Sequence, residues 1–231
     1  MKLSRNFTNI FNWILDNLIP PFFRDSRIIT TPFFLLLFGK KYHRFMDFKE
    51  NVLNLNSEEI IEYYKELSTY HINRKTDLNK KSIDFILNNI EGESVLDISC
   101  GSGFLAKEIV QKHNINVVGV DFIISEAIKT SENPKFIESS IEKIPFPDNH
   151  FDTVISTHTL EHVVDIHLAI RELRRVCRKK IIIVLPRQRN YKFTFDLHIH
   201  FFPYKYSVLS MMNNKGTCFN LQNDWIYFEN K

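Results

Sequence analysis

The sequence predicts an α/β protein: a doubly wound, mostly parallel seven-stranded sheet that ends in an antiparallel hairpin and is preceded by an N-terminal helical extension. Three observations predict it. After Gly92, short apolar runs alternate with segments of helical periodicity, the pattern of parallel strands joined by crossover helices. Four of the six glycines, Gly92, Gly101, Gly103 and Gly119, crowd between the start of the first run and the end of the second. The final stretch, residues 217–228, is rich in strand formers around an Asn223-Asp224 break, as a hairpin requires.

Residues 1–78 are rich in aromatics and Asn, are interrupted by Pro20-Pro21 and Pro32, and show no period-two alternation. They form the expected helical extension, and residues 79–231 the main domain. Within the extension, Ser57 followed by Glu58 and Glu59 reads as an N-cap with an acidic first turn, starting a helix that runs through Tyr64 and Leu67. Asp77 or Asn79 caps the next helix, whose Ile83, Ile86, Leu87 and Ile90 recur at helical spacing. The strand runs are Ser94–Ile98, 117–120, Lys135–Glu138, 151–156 and 180–185, and the helices between them Phe104–His113, 125–131 and 164–177. Beyond Pro186 a loop rich in His and aromatics leads to a short helix at 206–213 and then the hairpin.

The 231 residues, 44% hydrophobic and 25% charged, suffice for one main core and are too apolar for a disordered chain. A charge of +3, from 30 Lys+Arg against 27 Asp+Glu, gives no general attraction for nucleic acid. Cys100, Cys177 and Cys218 are odd in number and widely spaced, which fits a reducing cytoplasm and no zinc site. After Lys2 and Arg5 the apolar residues are broken by Asn and Asp, unlike a secretory signal. The most lipid-like stretch, PFFLLLF at 32–38, is far short of the roughly 20 residues of a membrane span; it can touch a membrane surface but not cross.

The chemistry concentrates in VLDISCGSGFLA, residues 95–106. A strand ends at Asp97, a loop turns on Gly101 and Gly103, and a helix starts at Phe104, so that glycines admit a ligand to the backbone beside free helix N–H groups. The same glycines satisfy a dinucleotide-binding pattern. Asp97 separates the two readings, because it would repel a pyrophosphate and attract a cofactor carrying an ammonium and a sulfonium; a strand-end acid capping the loop backbone is its other reading. Asp121 closes the second strand 18 residues after Gly103, where an acid accepts from both ribose hydroxyls. Ser140 and Ile141 are placed to face an adenine ring, with Phe122 and Ile123 as apolar walls, and Thr157, just after the fourth run, is a further cofactor-binding candidate.

In this order these blocks resemble the class I S-adenosylmethionine-dependent methyltransferases, in particular the small-molecule group of the methyltransferase-11 type. The resemblance spans residues 94–185 and includes Ile144-Pro145-Phe146-Pro147-Asp148 and Thr159-Leu160-Glu161-His162-Val163. It implies a Rossmann-like fold, with S-adenosylmethionine held at its methionine end by the Asp97–Gly103 loop, at its ribose by Asp121 and at its adenine before the Ile144 motif. Ser99 stands where the family has Gly, and Ser140 where it has Asp. Upstream, the resemblance places a helical cover, in which Arg74 is a candidate partner for the methionine carboxylate or else a surface ion-pair former.

Methyl transfer is an in-line displacement that proximity accelerates, and oxygen or nitrogen acceptors gain further from a base. His158, after the fourth strand, is either an acceptor contact or structural; His162 ties its turn to the backbone. Asp196, His198, His200 and Tyr204 read as an acceptor-pocket loop in which His198 or His200 serves as base, and the His-x-His pair lacks a third ligand for a metal. Arg171, Arg174, Arg175 and Arg178 read as a solvated helix face, with a phosphate or lipid headgroup as the alternative. Cys100 is a small lining residue. The expected activity is methyl transfer to a small-molecule acceptor, free or linked to glycan or lipid. The alternatives are a noncatalytic cofactor-binding module and an NAD(P)-dependent oxidoreductase.

Overall fold

The computed structural model describes residues 13–68, 75–193 and 195–231. The chain divides into two compact units, residues 1–74 with 188–201, and residues 75–187 with 202–231.

The first unit is helical. Its elements are α1 (Pro21–Arg24), α2 (Arg27–Phe38), a 3₁₀ turn (Gly39–Lys41), α3 (Tyr42–Met46), α4 (Phe48–Val52) and α5 (Ser57–Ser68). Pro20 precedes α1 and Pro21 opens it, where the missing N–H costs nothing. The cap of α5 is Asn56 rather than the expected Ser57. The Asn56 side-chain carbonyl accepts from the Glu59 N–H at 3.0 Å, and the Glu59 carboxylate accepts from the Asn56 N–H at 2.8 Å, a reciprocal capping box. The core is aromatic: Phe34 stacks on Phe195 with centroids 4.8 Å apart, and Phe34, Phe38, Phe45 and Phe48 are buried.

The loop 188–201 is strapped to these helices through polar side chains. Asp16 accepts from the Tyr191 hydroxyl at 2.5 Å, Asp25 from the Lys192 N–H at 3.0 Å, and the Arg24 guanidinium donates to the Asn190 carbonyl at 3.1 Å. The Lys49 ammonium donates to the Tyr191 carbonyl, and burial pulls its pKa down to about 8.

The second unit is the α/β body. In chain order it comprises α6 (Lys80–Asn88), β1 (Ser94–Ile98), α7 (Phe104–His113), β2 (Asn116–Asp121), α8 (Glu126–Lys129), β3 (Lys135–Glu138), β4 (Phe151–Thr157), α9 (Ile166–Val176), β5 (Cys177–Pro186), α10 (Lys205–Met211), β6 (Thr217–Leu221) and β7 (Asp224–Asn230). The strands form one seven-stranded sheet in the order β3-β2-β1-β4-β5-β7-β6. The first five pair in parallel; β7 runs antiparallel to β5 and β6 antiparallel to β7. This is the doubly wound sheet with a C-terminal hairpin that the sequence pattern predicts.

Both faces are covered, which is why the central strands read as unbroken apolar runs. Along β5, Ile181, Ile183 and Leu185 join a core with Ile170 and Leu173 of α9, while Ile182 and Val184 join a second core with Ile86 of α6 and Ile109 of α7. Of the arginines expected on one helix face, Arg178 lies in β5 rather than on α9, and Arg174, Arg175 and Arg178 are engaged in pairs. Arg175 donates to the carbonyls of Phe146 and Ile144 at 2.7 and 2.9 Å and pairs with Glu172, pinning the Ile144–Asp148 loop to α9. Arg174 pairs with Glu229 at 2.7 Å and Arg178 with Asp152 at 2.7 Å.

Gly119, in β2, has no room for a side chain: a Cβ would lie 2.5 Å from the Phe136 ring and 2.9 Å from Cys100 Sγ. Gly119→Ala is expected to destabilise the fold by about 1–3 kcal/mol through overpacking, read as a lower urea midpoint at unchanged slope.

Candidate cofactor and active site

The strand order reverses at β1, which lies between β2 and β4. Ligands of such sheets bind outside the carboxyl ends of the strands at this switch point. Asp97 is the fourth residue of β1, Asp121 ends β2 and Thr157 ends β4, so three of the sequence-predicted residues sit at this end of three neighbouring strands.

Between β1 and α7 the backbone turns through three left-handed residues: Ser99 (φ 58°), Gly101 (φ 53°) and Gly103 (φ 72°). Ser99 therefore adopts the conformation for which glycine is preferred, a local strain in place of the ordinary backbone angle a serine favours. A Cβ on Gly103 would meet the Phe136 ring at 2.5 Å, whereas nothing lies within 4 Å of a Cβ on Gly101. Gly103 thus serves packing and Gly101 leaves its backbone open to a ligand. Gly103 caps α7 without a side-chain hydrogen bond, and Ser102 is turned aside, donating to the Lys75 carbonyl at 3.0 Å.

Asp121 braces this loop: its carboxylate accepts from the Gly101 N–H at 2.8 Å and faces the Ile123 N–H at 3.4 Å. Burial raises its pKa, and the backbone donors of Gly101, Ile123 and Phe122 oppose the rise. Asp97 is 1% exposed, and neither carboxylate oxygen has a hydrogen-bond partner of normal geometry among the described residues. Burial, reinforced by the charge of Asp121, lifts its pKa to about 7, with the Ala106 backbone amide pulling the other way. A buried, unsatisfied carboxylate is costly, and a cation brought near it is stabilised over several Å in such surroundings.

Phe122 and Ile123 follow Asp121 and are 37% and 41% exposed, an apolar surface beside an acid. Ile141 is buried, and the Ser140 hydroxyl oxygen accepts from the Glu142 N–H at 3.1 Å. These residues fit S-adenosylmethionine: an acid pair, an open glycine and an apolar platform. Burial raises the Cys100 thiol pKa, as expected of a lining residue rather than a nucleophile. Arg74 lies outside the described residues.

The predicted catalytic histidines are divided between the two units. His158 follows β4 with its own φ at 49° and its N–H donating to the Val184 carbonyl at 2.9 Å. Its Nδ1 is 3.5 Å from Glu161 Oε1 and its Nε2 3.5 Å from Asp224 Oδ1. Burial favours the neutral ring, but the two carboxylates outweigh it and raise the pKa to about 10. A ring held protonated has no lone pair to receive a proton, so the arrangement suits a structural cation. Asp224 in turn accepts from the Asn79 amide at 2.7 Å and the Ser82 hydroxyl at 2.8 Å. Sequence reasoning flagged Asn79 as a helix cap, which it is, accepting from the Ser82 N–H at 2.9 Å. It gave no sign that Asn79 and Ser82 meet Asp224, a partnership made only by tertiary folding. His198 and His200 belong to the helical unit, where His198 Nδ1 lies 2.6 Å from Gln188 Oε1.

Comparison with known proteins follows this geometry. The methyltransferase-11 family, described as a methyltransferase domain, matches residues 96–185. A sterol 24-C-methyltransferase of Aspergillus fumigatus is 34% identical over 97 residues, covering 38% of this chain and 26% of that protein. A 2-phytyl-1,4-naphtoquinone methyltransferase of Trichormus variabilis is 32% identical over 116 residues, 44% of this chain and 51% of that one. The chain thus spans about a quarter to half the length of these relatives. Among solved structures, an S-adenosylmethionine-dependent methyltransferase of Aquifex aeolicus superposes with a TM-score of 0.52 at 15% identity, covering 76% of this chain and 98% of that one. A second, described as a putative S-adenosylmethionine-dependent methyltransferase from Methanococcus maripaludis, gives 0.54 at 15%, covering 75% and 91%; both support the fold. Residues 96–185 are thus similar to the methyltransferase-11 domain family, and the chain shares the fold of solved S-adenosylmethionine-dependent methyltransferases.

Proposed function

We propose that this chain uses S-adenosylmethionine to methylate a small-molecule acceptor, free or linked to a glycan or lipid. The observation that carries the reading is the acid pair at the switch point, Asp97 buried with no hydrogen-bond partner of normal geometry among the described residues and Asp121 bracing an open Gly101. An NAD(P) pyrophosphate on this loop would lie against both charges. The sterol and naphthoquinone methyltransferases that match residues of this domain bear names of small lipophilic acceptors, in keeping with the proposal.

In this reading Asp121 holds the ribose hydroxyls. Phe122, Ile141 and Ser140 flank the adenine. Ser99, Gly101 and Gly103 shape the loop around the methionine portion, with Thr157 at its edge and Arg74 a candidate for its carboxylate. At 1% exposure Asp97 acts on the ammonium as a charge beneath the loop. When bound, the cofactor supplies an electrophilic methyl on a sulfonium; the chain's part is to align the acceptor opposite that methyl and exclude water. His158, as a cation, positions the end of β4, and a base, where the acceptor needs one, falls to His198 or His200. A cytoplasmic setting accords with three unpaired cysteines.

Isothermal titration is expected to show S-adenosylhomocysteine binding, and binding that tightens as pH rises from 6 to 8. The sign follows from Asp97: its raised pKa leaves it protonated below about 7, and only the ionised form attracts the ammonium. Absence of binding at neutral pH, with tight binding of NAD, would sink the proposal.

A further inference from the structure

We propose that the outward face of α1 and α2 docks on an anionic membrane surface. Helix α2 is apolar nearly all round, yet only one side is buried: Phe34 and Phe38 turn inward, while Ile28 and Leu36 are 87% and 82% exposed, with Ile29 and Phe33 about half exposed. At 100° per residue, positions 28, 32, 36, 29 and 33 occupy one continuous arc, and Phe22 of α1 is a further 79% exposed. Monomeric proteins rarely leave such a surface to water. Among the described residues no helix is long and apolar enough to cross a membrane. At 12 residues α2 is about 18 Å long, against a hydrocarbon core of about 30 Å, so it lies in the interface plane.

Charge selects the occupant. Residues 21–50 carry six basic side chains, Arg24, Arg27, Lys40, Lys41, Arg44 and Lys49, against three acids, Asp25, Asp47 and Glu50. Arg27 pairs with Asp47 at 2.7 Å, and Arg24, Asp25 and Lys49 are turned to the loop 188–201, so Lys40 and Lys41 are the cations that border the apolar face. Lys40 and Lys41 follow directly on the C-terminal end of α2. An apolar face bounded by cations suits anionic headgroups over acyl chains, where long basic side chains reach up to the phosphates. A two-fold contact with a second copy would instead bring like charges together. This inference stands independently of the methyl-transfer reading.

The test is flotation of the full chain with vesicles of phosphatidylcholine and phosphatidylglycerol. Wild type is expected to float. Ile28→Asn with Leu36→Asn is expected to weaken partitioning at least about tenfold, and Lys40→Gln with Lys41→Gln to weaken it on these vesicles but not on phosphatidylcholine alone. Ile28, Leu36 and Lys40 are exposed and Lys41 is half-buried, and unchanged circular dichroism confirms that the variants are folded. The proposal is overturned if wild type stays with the unbound fraction. It is equally overturned if wild type sediments as a dimer that the apolar double variant converts to monomer, since the face then joins two copies of the chain.

Discussion

Asp121→Ala is expected to weaken S-adenosylhomocysteine binding by about 10- to 100-fold, the loss of charge-assisted hydrogen bonds worth roughly 1.5–3 kcal/mol. Two effects combine in it. The ribose hydroxyls lose their acceptor, and the Gly101 N–H loses the carboxylate that braces the loop at 2.8 Å. Asp121→Asn separates them, because an amide oxygen still accepts from Gly101 while the charge is gone. The same change relieves Asp97, whose pKa is raised in part by the Asp121 charge. In the Asn variant the rise in affinity with pH should therefore shift to lower pH. Titration across pH 5 to 8 reads both effects. An Ala variant that binds as tightly as wild type would remove Asp121 from the site.

How far this was legible in the sequence depended on whether a feature is local. β1 and β3 are bounded where the apolar runs place them, and α7 begins at Phe104 because the glycine loop and the helix periodicity meet there. β5 starts at Cys177 rather than at 180 because the chain passes from α9 into the strand without an intervening loop, so no turn residue marks the change. The Asn-Asp break was read as a hairpin turn, which it is, but Asp224 also lies buried among His158, Asn79 and Ser82, residues 66 to 145 positions away. No periodicity encodes such a meeting. Arg174, Arg175 and Arg178 misled for the same reason: their spacing describes one helix face, whereas Arg178 falls in β5, and only the fold supplies the Glu229, Glu172 and Asp152 partners. The Asp97 and Asp121 pair was readable because each acid lies at or next to the end of its own strand beside the same glycine loop.

Asp224→Ala is expected to destabilise the α/β unit by about 3–5 kcal/mol, a large share of the 5–15 kcal/mol typical of a domain. The carboxylate is 3% exposed, and its removal takes the acceptor from the Ser82 hydroxyl, one of two acceptors from the Asn79 amide, which keeps the Leu221 carbonyl, and one of two nearby carboxylates from the His158 ring. Asp224→Asn distinguishes charge from hydrogen bonding, since the amide oxygen can still accept from Asn79 or Ser82 but no longer compensates the imidazolium. The pH dependence identifies the cation. With a folded pKa of about 10 against 6.5 in the unfolded chain, His158 contributes stability that is fully present below pH 6.5 and is lost as pH rises towards 10. Each unit of that difference is worth about 1.4 kcal/mol. Asp97 acts in a separate window. As an acid raised from 3.8 to about 7, it makes the fold more stable at low pH and erodes that advantage as pH climbs to 7. Lys49, lowered from 10.5 to about 8, titrates in the same range with the opposite sign, so the histidine is isolated by difference: in urea unfolding at pH 7.5, 8.5 and 9.5 the stability gap between wild type and Asp224→Asn, which share Lys49, should narrow steadily as pH rises. A gap that stays constant across the range would mean that the ring is neutral, and would return His158 to the set of residues able to act as a base.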